Sequence, residues 1–389
     1  MRIAFYAPMK PPDAARPSGD RRIARLLMRA LRASGHRVAL ASAFRTWQDA
    51  PDATRQARLA DTGARLAARL LRRWQGTRRD ERPDLWLTYH VYYRAPDWLG
   101  PAVADALGIP YVIAEASHAP KRAGGPWAVG HAGAEAAIRR ADALLGLNAF
   151  DAGCVTPLLD DPARLVPLAP FLDHVPFAAA CARRADHRRA VDDAFGFEPA
   201  TPLLVTVAMM RAGDKLASYR LLGTALAGIA DRPWRLLVVG DGPARADVAA
   251  ALAPLGDRVA WAGERPPDAL PALVAAGDLF VWPALREAYG MALLEAQAAG
   301  TPVVAGRTLG VPAIVRDGQT GLLTQEGNAD EFAAAVTALL DDPACRTMFG
   351  DNARATVARD HSIAAARRAI DRALSVARTH YPPARIRVG

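Results

Sequence analysis

Cysteine is scarce in this chain: Cys154, Cys181 and Cys345 are its only three, scattered with no CxxC or paired spacing. That excludes a disulfide framework and a cysteine zinc site, and it fits a reducing compartment. Lysine is equally scarce, confined to Lys10, Lys121 and Lys215. No segment reaches the roughly 18 consecutive apolar residues that a membrane-spanning helix needs. The opening residues, MRIAFYAPMKPPD, lack a signal-peptide core, because their apolar run breaks at Pro8, Pro11 and Pro12. The expected location is therefore the cytoplasm, soluble or peripheral on the inner face of a membrane. A complete GxGxxG is missing as well: GDGPAR at 240–245 has no third glycine, so the dinucleotide signal is weak. No internal repeat is visible, and no low-complexity linker beyond a charged, alanine-rich interval at 178–200.

What is present is a long chain with ample core. Its 389 residues, 51% of them apolar, exceed one ordinary core and predict two domains. The charge is one-sided. Residues 1–190 hold 29 Lys+Arg against 18 Asp+Glu, whereas the remainder holds 20 against 22. A basic N-terminal half implies an anionic partner such as an acidic membrane, a charged acceptor or a nucleic acid. The 52–79 stretch is helical in pattern, with Leu59, Leu66, Leu70 and Trp74 on one side and eight arginines from Arg55 to Arg79 around them. Such a helix can lie on an anionic membrane, but an apolar stripe turned to the core is the favoured reading. The arginines lack the aromatic interleaving of a nucleic-acid stacking platform, so no nucleic-acid partner is expected.

Strand and helix patterns alternate throughout. Arg2 to Tyr6, Val38 to Ser42, Asp84 to Thr88, Tyr111 to Ala114 and Asp142 to Leu147 read as strands of a first domain, with a helix over Ile23 to Ala33. Ser18, Gly19 and Asp20 precede that helix, as N-cap candidates and a place for backbone to approach a ligand. His90 and His118 follow the ends of two strands, where ligands of parallel sheets bind; His118 is the stronger functional candidate. The loop after it, APKRAGGPW, sets Lys121 and Arg122 beside glycines and suits phosphate. A boundary is expected between Phe177 and Thr201, with 1–177 as the first domain, 178–200 as linker and 201–360 as the second. In the second, Leu203 to Ala208 reads as a strand followed by Arg211 and Lys215 bracketing Gly213, two cations suited to a diphosphate.

The most organised stretch is Asp278 to Pro312. A strand, Leu279 to Trp282, is stopped by Pro283; a loop carries Arg286 and Glu287; a helix over Met291 to Ala299 ends at Gly300; and Thr301 to Ala305 is a second strand. This places loop and helix N-terminus at the carboxyl edge of a parallel sheet, where free backbone N–H groups attract phosphate. With Glu287 in the loop and Glu295 in the helix, the cradle suits a ligand with both phosphates and hydroxyls, such as a nucleotide sugar.

Glu287 to Glu295, EAYGMALLE, resembles the paired-glutamate motif of the family-4 retaining glycosyltransferases, with the same seven intervening residues. The resemblance continues through Gly300-Thr301-Pro302-Val303-Val304, Gly310-Val311-Pro312, Asp317-Gly318, Gly321-Leu322-Leu323, LLDDP at 339–343 and VVGDGP at 238–243. It covers most of residues 201–360 and is loose in the N-terminal half. It implies an α/β GT-B fold: two Rossmann-like doubly wound domains facing an inter-domain cleft, the last helix (about 361–389) crossing back onto the first. It implies transfer of a sugar, with retention, from a nucleotide-diphospho sugar to a glycan, lipid-linked sugar or small metabolite, with no metal and no cofactor. Carried over by position, Glu295 holds the ribose, Glu287 the sugar, and the amides of Ala288, Tyr289, Gly290 and Met291 meet sugar and phosphates. Arg211 and Lys215 neutralise the diphosphate, Ser18 and Gly19 lie where backbone approaches it, and His118 lies near the reacting carbon. Two departures stand out: the Arg–Lys pair has only three intervening residues, and the N-terminal loop reads PSGDR in place of a double glycine. The other readings are a different GT-B enzyme, such as a nucleotide-sugar epimerase or a phosphorylase, and a non-catalytic basic protein on an anionic membrane surface. The phosphorylase is disfavoured because Lys215 is better explained by phosphate than by a pyridoxal group.

Overall fold

The computed structural model describes residues 1–14 and 18–381. It divides into two units, Met1–Ala169 with Ile363–Gly389, and Pro170–Ser362. The first is built on β1 (Arg2–Tyr6), β2 (Arg37–Ser42), β3 (Leu85–Val91), β4 (Tyr111–Ala116), β5 (Ala143–Gly146) and β6 (Leu165–Pro167). These form one sheet in the order β2-β1-β3-β4-β5-β6, parallel throughout. The second carries β7 (Leu203–Val207), β8 (Arg235–Val239), β9 (Val259–Gly263), β10 (Leu279–Trp282), β11 (Val303–Arg307) and β12 (Gly321–Gln325). Its order, β12-β11-β10-β7-β8-β9, is also all parallel. Helices between successive strands cover both faces of each sheet, so the central strands read as unbroken apolar runs instead of alternating. Both units are doubly wound α/β sheets, as the strand–helix alternation predicts.

The strand order decides where function can sit. In the first sheet the order reverses between β1 and β3, and in the second between β7 and β10. Neighbouring strands whose connections depart to opposite faces leave a crevice at their carboxyl ends, and ligands occupy such switch points.

The interval 178–200 is not a linker. It folds as helices over Val175–Ala182 and Arg184–Phe195, and the division between units lies at Ala169 and Pro170. The reason is electrostatic. Asp278, at the start of β10, accepts from Arg184 at 3.1 Å, from Arg188 at 2.7 Å and from the Leu203 N–H at 2.8 Å. Arg188 also binds Asp192 at 2.8 Å, so charges that suggested a solvated spacer clamp a helix to the sheet. The helix Ile363–His380 belongs to the first unit, where Arg367 reaches Ser34 at 3.3 Å; residues 382–389 of the expected crossing segment lie outside the described residues.

The arginine-rich stretch folds as a helix over Ala53–Gln75. Leu66, Leu70, Leu71 and Trp74 pack on the first unit's core, and Trp74 meets Trp86 edge-on at 6.2 Å. Its apolar stripe is thereby used internally, leaving an arginine face outward. Among the described residues no helix is long and apolar enough to cross a membrane.

Asp278→Ala should remove about 2 kcal/mol by stranding two guanidiniums and a backbone donor. The second unit's melting temperature, followed by differential scanning calorimetry, should fall by roughly 4–8 °C. An unchanged transition would return 178–200 to the status of a spacer.

Candidate active site

In the second unit the switch point brings together loops 72 residues apart, because β7 and β10 are hydrogen-bonded neighbours. Lys215, in the first turn of the helix Asp214–Ala227 after β7, forms an ion pair and hydrogen bond with Glu287 in the loop after β10. The ammonium also lies 5.3 Å from the centre of the Trp282 ring, and Trp282 is held edge-on by Tyr219 at 5.0 Å. The two loops are tied at further points. Ser218 Oγ accepts the Leu285 N–H at 3.0 Å, and Arg286 Nε donates to Asp214 at 2.9 Å. Glu326, just past β12, accepts the Arg286 N–H at 2.9 Å. Ala284 and Arg286 both take positive φ, at 57° and 47°, a costly state for side chains with Cβ. Strain of that kind persists where surrounding bonds over-determine a loop, and these bonds do so.

Gly290, at φ 63°, caps the helix Met291–Ala298, whose first N–H groups have no partner within the helix. Ala288 is exposed, Tyr289 and Met291 are half-buried, and Glu295 is buried one turn further in. Arg211 is exposed on the loop after β7, with no carboxylate partner among the described residues. The GDG sequence has a different task from the one its resemblance to a dinucleotide fingerprint suggests. A Cβ at Gly240 would sit 2.0 Å from the Ala208 carbonyl, and one at Gly242 would sit 2.3 Å from that of Met210. Only glycine permits this approach, and the turn thereby buttresses the loop that carries Arg211 and Lys215. Thus Lys215, Glu287 and the helix N-terminus converge, while Arg211 and the Ala288 backbone lie on the same carboxyl edge.

In the first unit the helix starts at Gly19, four residues before the apolar pattern does. Asp20 in its first turn favours this start, since a carboxylate there meets the positive end of the helix dipole. Ser18 takes the N-cap position with extended backbone, but its hydroxyl turns to Asp20 at 3.3 Å. Nothing lies within 4 Å of a Cβ built on Gly19, so its backbone is open to approach; Pro17 of the PSGDR loop lies outside the described residues.

Asp20 pairs with Lys10, and its other oxygen lies 3.5 Å from His90 Nδ1, which is 3.8 Å from Glu115. His90 and Glu115 each close a strand at φ 64°, again in the left-handed region. Burial alone pushes His90 down, but the Glu115 and Asp20 carboxylates outweigh it and hold its pKa above 6.5. Asp20 shows the converse: burial pushes it up, and hydrogen bonds from His90 and Lys10 hold it well below the carboxylate range. The strand-end position of His90 signalled this cluster in the sequence. Lys10 and Glu115 carried no signal, because only β1, β3 and β4 lying side by side brings them together.

His118 lies two residues past β4, with Nε2 3.4 Å from Glu135 Oε2. His131, one helical turn before Glu135, places Nδ1 3.8 Å from the same carboxylate. The three offer ligand atoms within 4.8 Å of one another, a set able to take an ion among the described residues. Arg139 donates to the other Glu135 oxygen at 2.9 Å and, with His118, holds the carboxyl below its usual range. Positive charge is therefore already supplied to Glu135 from the protein. Sequence reasoning missed Glu135 and His131, whose helix face only the packed structure reveals.

The His90 cluster fixes a pH dependence. A raised histidine contributes stability that is complete below 6.5 and is lost as pH rises through its folded value. The lowered Asp20 contributes stability that is present above 3.8 and is lost as pH falls through its folded value. The wild-type first unit should therefore lose thermal stability on raising pH above 6.5, and His90→Gln should flatten that decline. A parallel decline in the variant would assign it elsewhere.

Residues 201–342 match the family model for Glycosyl transferases group 1. Among curated proteins, the chain is 30% identical over 244 residues to the alpha-D-kanosaminyltransferase of Streptomyces kanamyceticus, which is 62% of this chain and 60% of that protein. It is 42% identical over 124 residues to the 2-deoxystreptamine glucosyltransferase of the same organism, covering 31% and 32%. To the D-inositol 3-phosphate glycosyltransferase of Nocardia farcinica it is 34% identical over 182 residues, covering 44% and 40%. The chain thus spans three fifths or less of the length of these relatives. Among solved structures, the Anabaena protein HepE in complex with UDP superposes with a TM-score of 0.70 at 16% identity, covering 96% of this chain and all of that one. The sucrose-phosphate synthase of Thermosynechococcus elongatus gives 0.68 at 20% identity, covering 95% and 97%. The fold is accordingly GT-B, built from two Rossmann-like units, and the second of them resembles the Glycosyl transferases group 1 family over residues 201–342.

Proposed function

We propose that the protein is a retaining, metal-independent glycosyltransferase that moves a sugar from a nucleotide-diphospho sugar to an acceptor. The observation that carries this reading is the pairing of Lys215 with Glu287 at the switch point of the second sheet, beside the N-terminus of the helix that bears Glu295. The names of the relatives, all sugar transferases, support it. UDP in the HepE crystal makes uracil the first base to try.

On this reading the diphosphate lies on the Met291 helix N-terminus and shares Lys215 with Glu287, with Arg211 as the second cation. Both cations stabilise charge that grows as the bond between the sugar carbon and the phosphate oxygen breaks. Glu295 takes the ribose hydroxyls and Glu287 the sugar hydroxyls. The acceptor oxygen forms the new bond on the same face, and its proton passes to the leaving phosphate oxygen. On the family resemblance, His118, beside Glu135 in the first unit, is assigned to the reacting carbon, and Ser18 and Gly19 to the donor diphosphate. Fixed cations and a helix dipole provide what a bound metal supplies to other leaving diphosphates.

Lys215→Ala and Glu287→Ala should each lower kcat by about 10²–10³ while leaving the melting temperature near wild type. Full activity in either would overturn the assignment of the site. A thermal-shift panel of UDP, GDP, ADP and TDP with their sugars should give one stabilising base, since ligands that bind the native state raise its melting point. A flat panel would favour the non-catalytic reading. EDTA should leave turnover unchanged, and metal-dependent turnover would place the chemistry in another class.

A further inference from the structure

A cluster on the carboxyl edge of the first sheet has no part in the function proposed above. Arg45 follows β2, Arg94 follows β3 and Arg122 lies in the loop after β4. Each guanidinium is laid against an aromatic ring. Arg45 is 4.7 Å from the centre of Trp47, Arg94 is 5.7 Å from Tyr93 and 5.3 Å from Trp127, and Arg122 is 5.5 Å from Tyr93. The rings form one strip: Tyr93 meets Trp127 at 5.2 Å and Tyr92 at 5.5 Å, and Trp47 Nε1 donates to Tyr92 Oη at 2.9 Å.

None of the three arginines has a carboxylate partner among the described residues. Arg45 donates to the Met9 carbonyl at 3.0 Å and Arg94 to Tyr93 Oη at 3.2 Å. Arg122 Nε is buried with no partner. The carboxylates of this edge are already engaged: Asp20 with Lys10, Glu135 with Arg139, and Asp151 with Ser117 and Asn148. A guanidinium stacked by its face keeps its N–H edge free, and that edge matches the paired oxygens of an oxyanion. A half-buried cation without a counter-charge is costly, and a ligand oxyanion removes the cost. Aromatic faces beside it suit the ring of a sugar or polyol.

We propose that Arg94 and Arg122, with the Tyr93–Trp127 strip and flanked by Arg45, recognise a phosphate group carried on a sugar or polyol. Calling that ligand the acceptor rests on the glycosyltransferase reading; the anion site itself does not. The phosphate can belong to a free metabolite or to a lipid headgroup, and the test separates the two. With the full chain and saturating UDP, calorimetry compares glucose with glucose 6-phosphate and myo-inositol with myo-inositol 1-phosphate. Flotation compares phosphatidylglycerol vesicles with phosphatidylcholine vesicles.

The phosphorylated member of at least one pair should bind at least tenfold tighter, or binding should be confined to the phosphatidylglycerol vesicles. The folded Arg94→Met/Arg122→Met double variant should lose that preference while its UDP affinity stays within twofold. Arg94→Lys/Arg122→Lys, which keeps the charge and removes the fork, should keep only a minor part and guards against a folding defect in the first variant. Equal binding in both arms, or a preference that survives the double substitution, overturns the proposal. A phosphate preference in a chain that binds no nucleotide would leave this site standing and remove the glycosyltransferase reading.

Discussion

The hydrogen-bonded adjacency of β7 and β10 is the constraint on which the second unit's chemistry depends. These strands are far apart in sequence, yet their pairing places the loops after them side by side. Lys215 and Glu287 then form an ion pair that neither loop could hold alone. The supports follow from the same adjacency: Ser218 and Asp214 hold the Glu287 loop, Trp282 lies beneath the ammonium, and the glycines of the GDG turn press against the Arg211 loop. Two residues of the loop stay at positive φ because these bonds leave it no cheaper arrangement.

The first unit applies the same principle with different residues. Its order reverses between β1 and β3, and there Lys10, Asp20, His90 and Glu115 gather. The chemistry at this edge is more mixed, with a half-buried histidine between carboxylates, a His118–Glu135–Arg139 chain, and arginines stacked on aromatic rings. Under the function proposed above, variation of this kind suits the side that tells one acceptor from another. A sheet edge can change its loops without disturbing the apolar strands that carry them.

Composition misled at 178–200. Alanine, arginine and aspartate there read as a solvated spacer, yet Arg184 and Arg188 find Asp278, 94 and 90 residues away in sequence, and convert the segment into a packed helix. Charge patterns show that a surface is polar and leave open whether the opposite charges are solvent or another element. The helix over 53–75 shows the reverse. Its 3.6-residue stripe of leucines ending at Trp74 was enough to predict core packing, because periodicity reports directly on which face is buried.

The sequence by itself determined the alternation of strand and helix, the boundaries of apolar strands such as β1 and β10, and the paired-glutamate stretch with its loop and helix. These are local patterns, set by periodicity, turn residues and caps within a few neighbours. It also marked Lys215, Glu287 and His118 as candidates, since each lies in the segment that follows a strand. Only the tertiary structure decided which strand ends are neighbours. It thereby decided that Lys215 meets Glu287, that His118 is held by Glu135, that His90 lies between Asp20 and Glu115, and that three arginines share one aromatic strip. Strand order is a non-local property, fixed by how whole sheets bury their faces, and no window of sequence contains it.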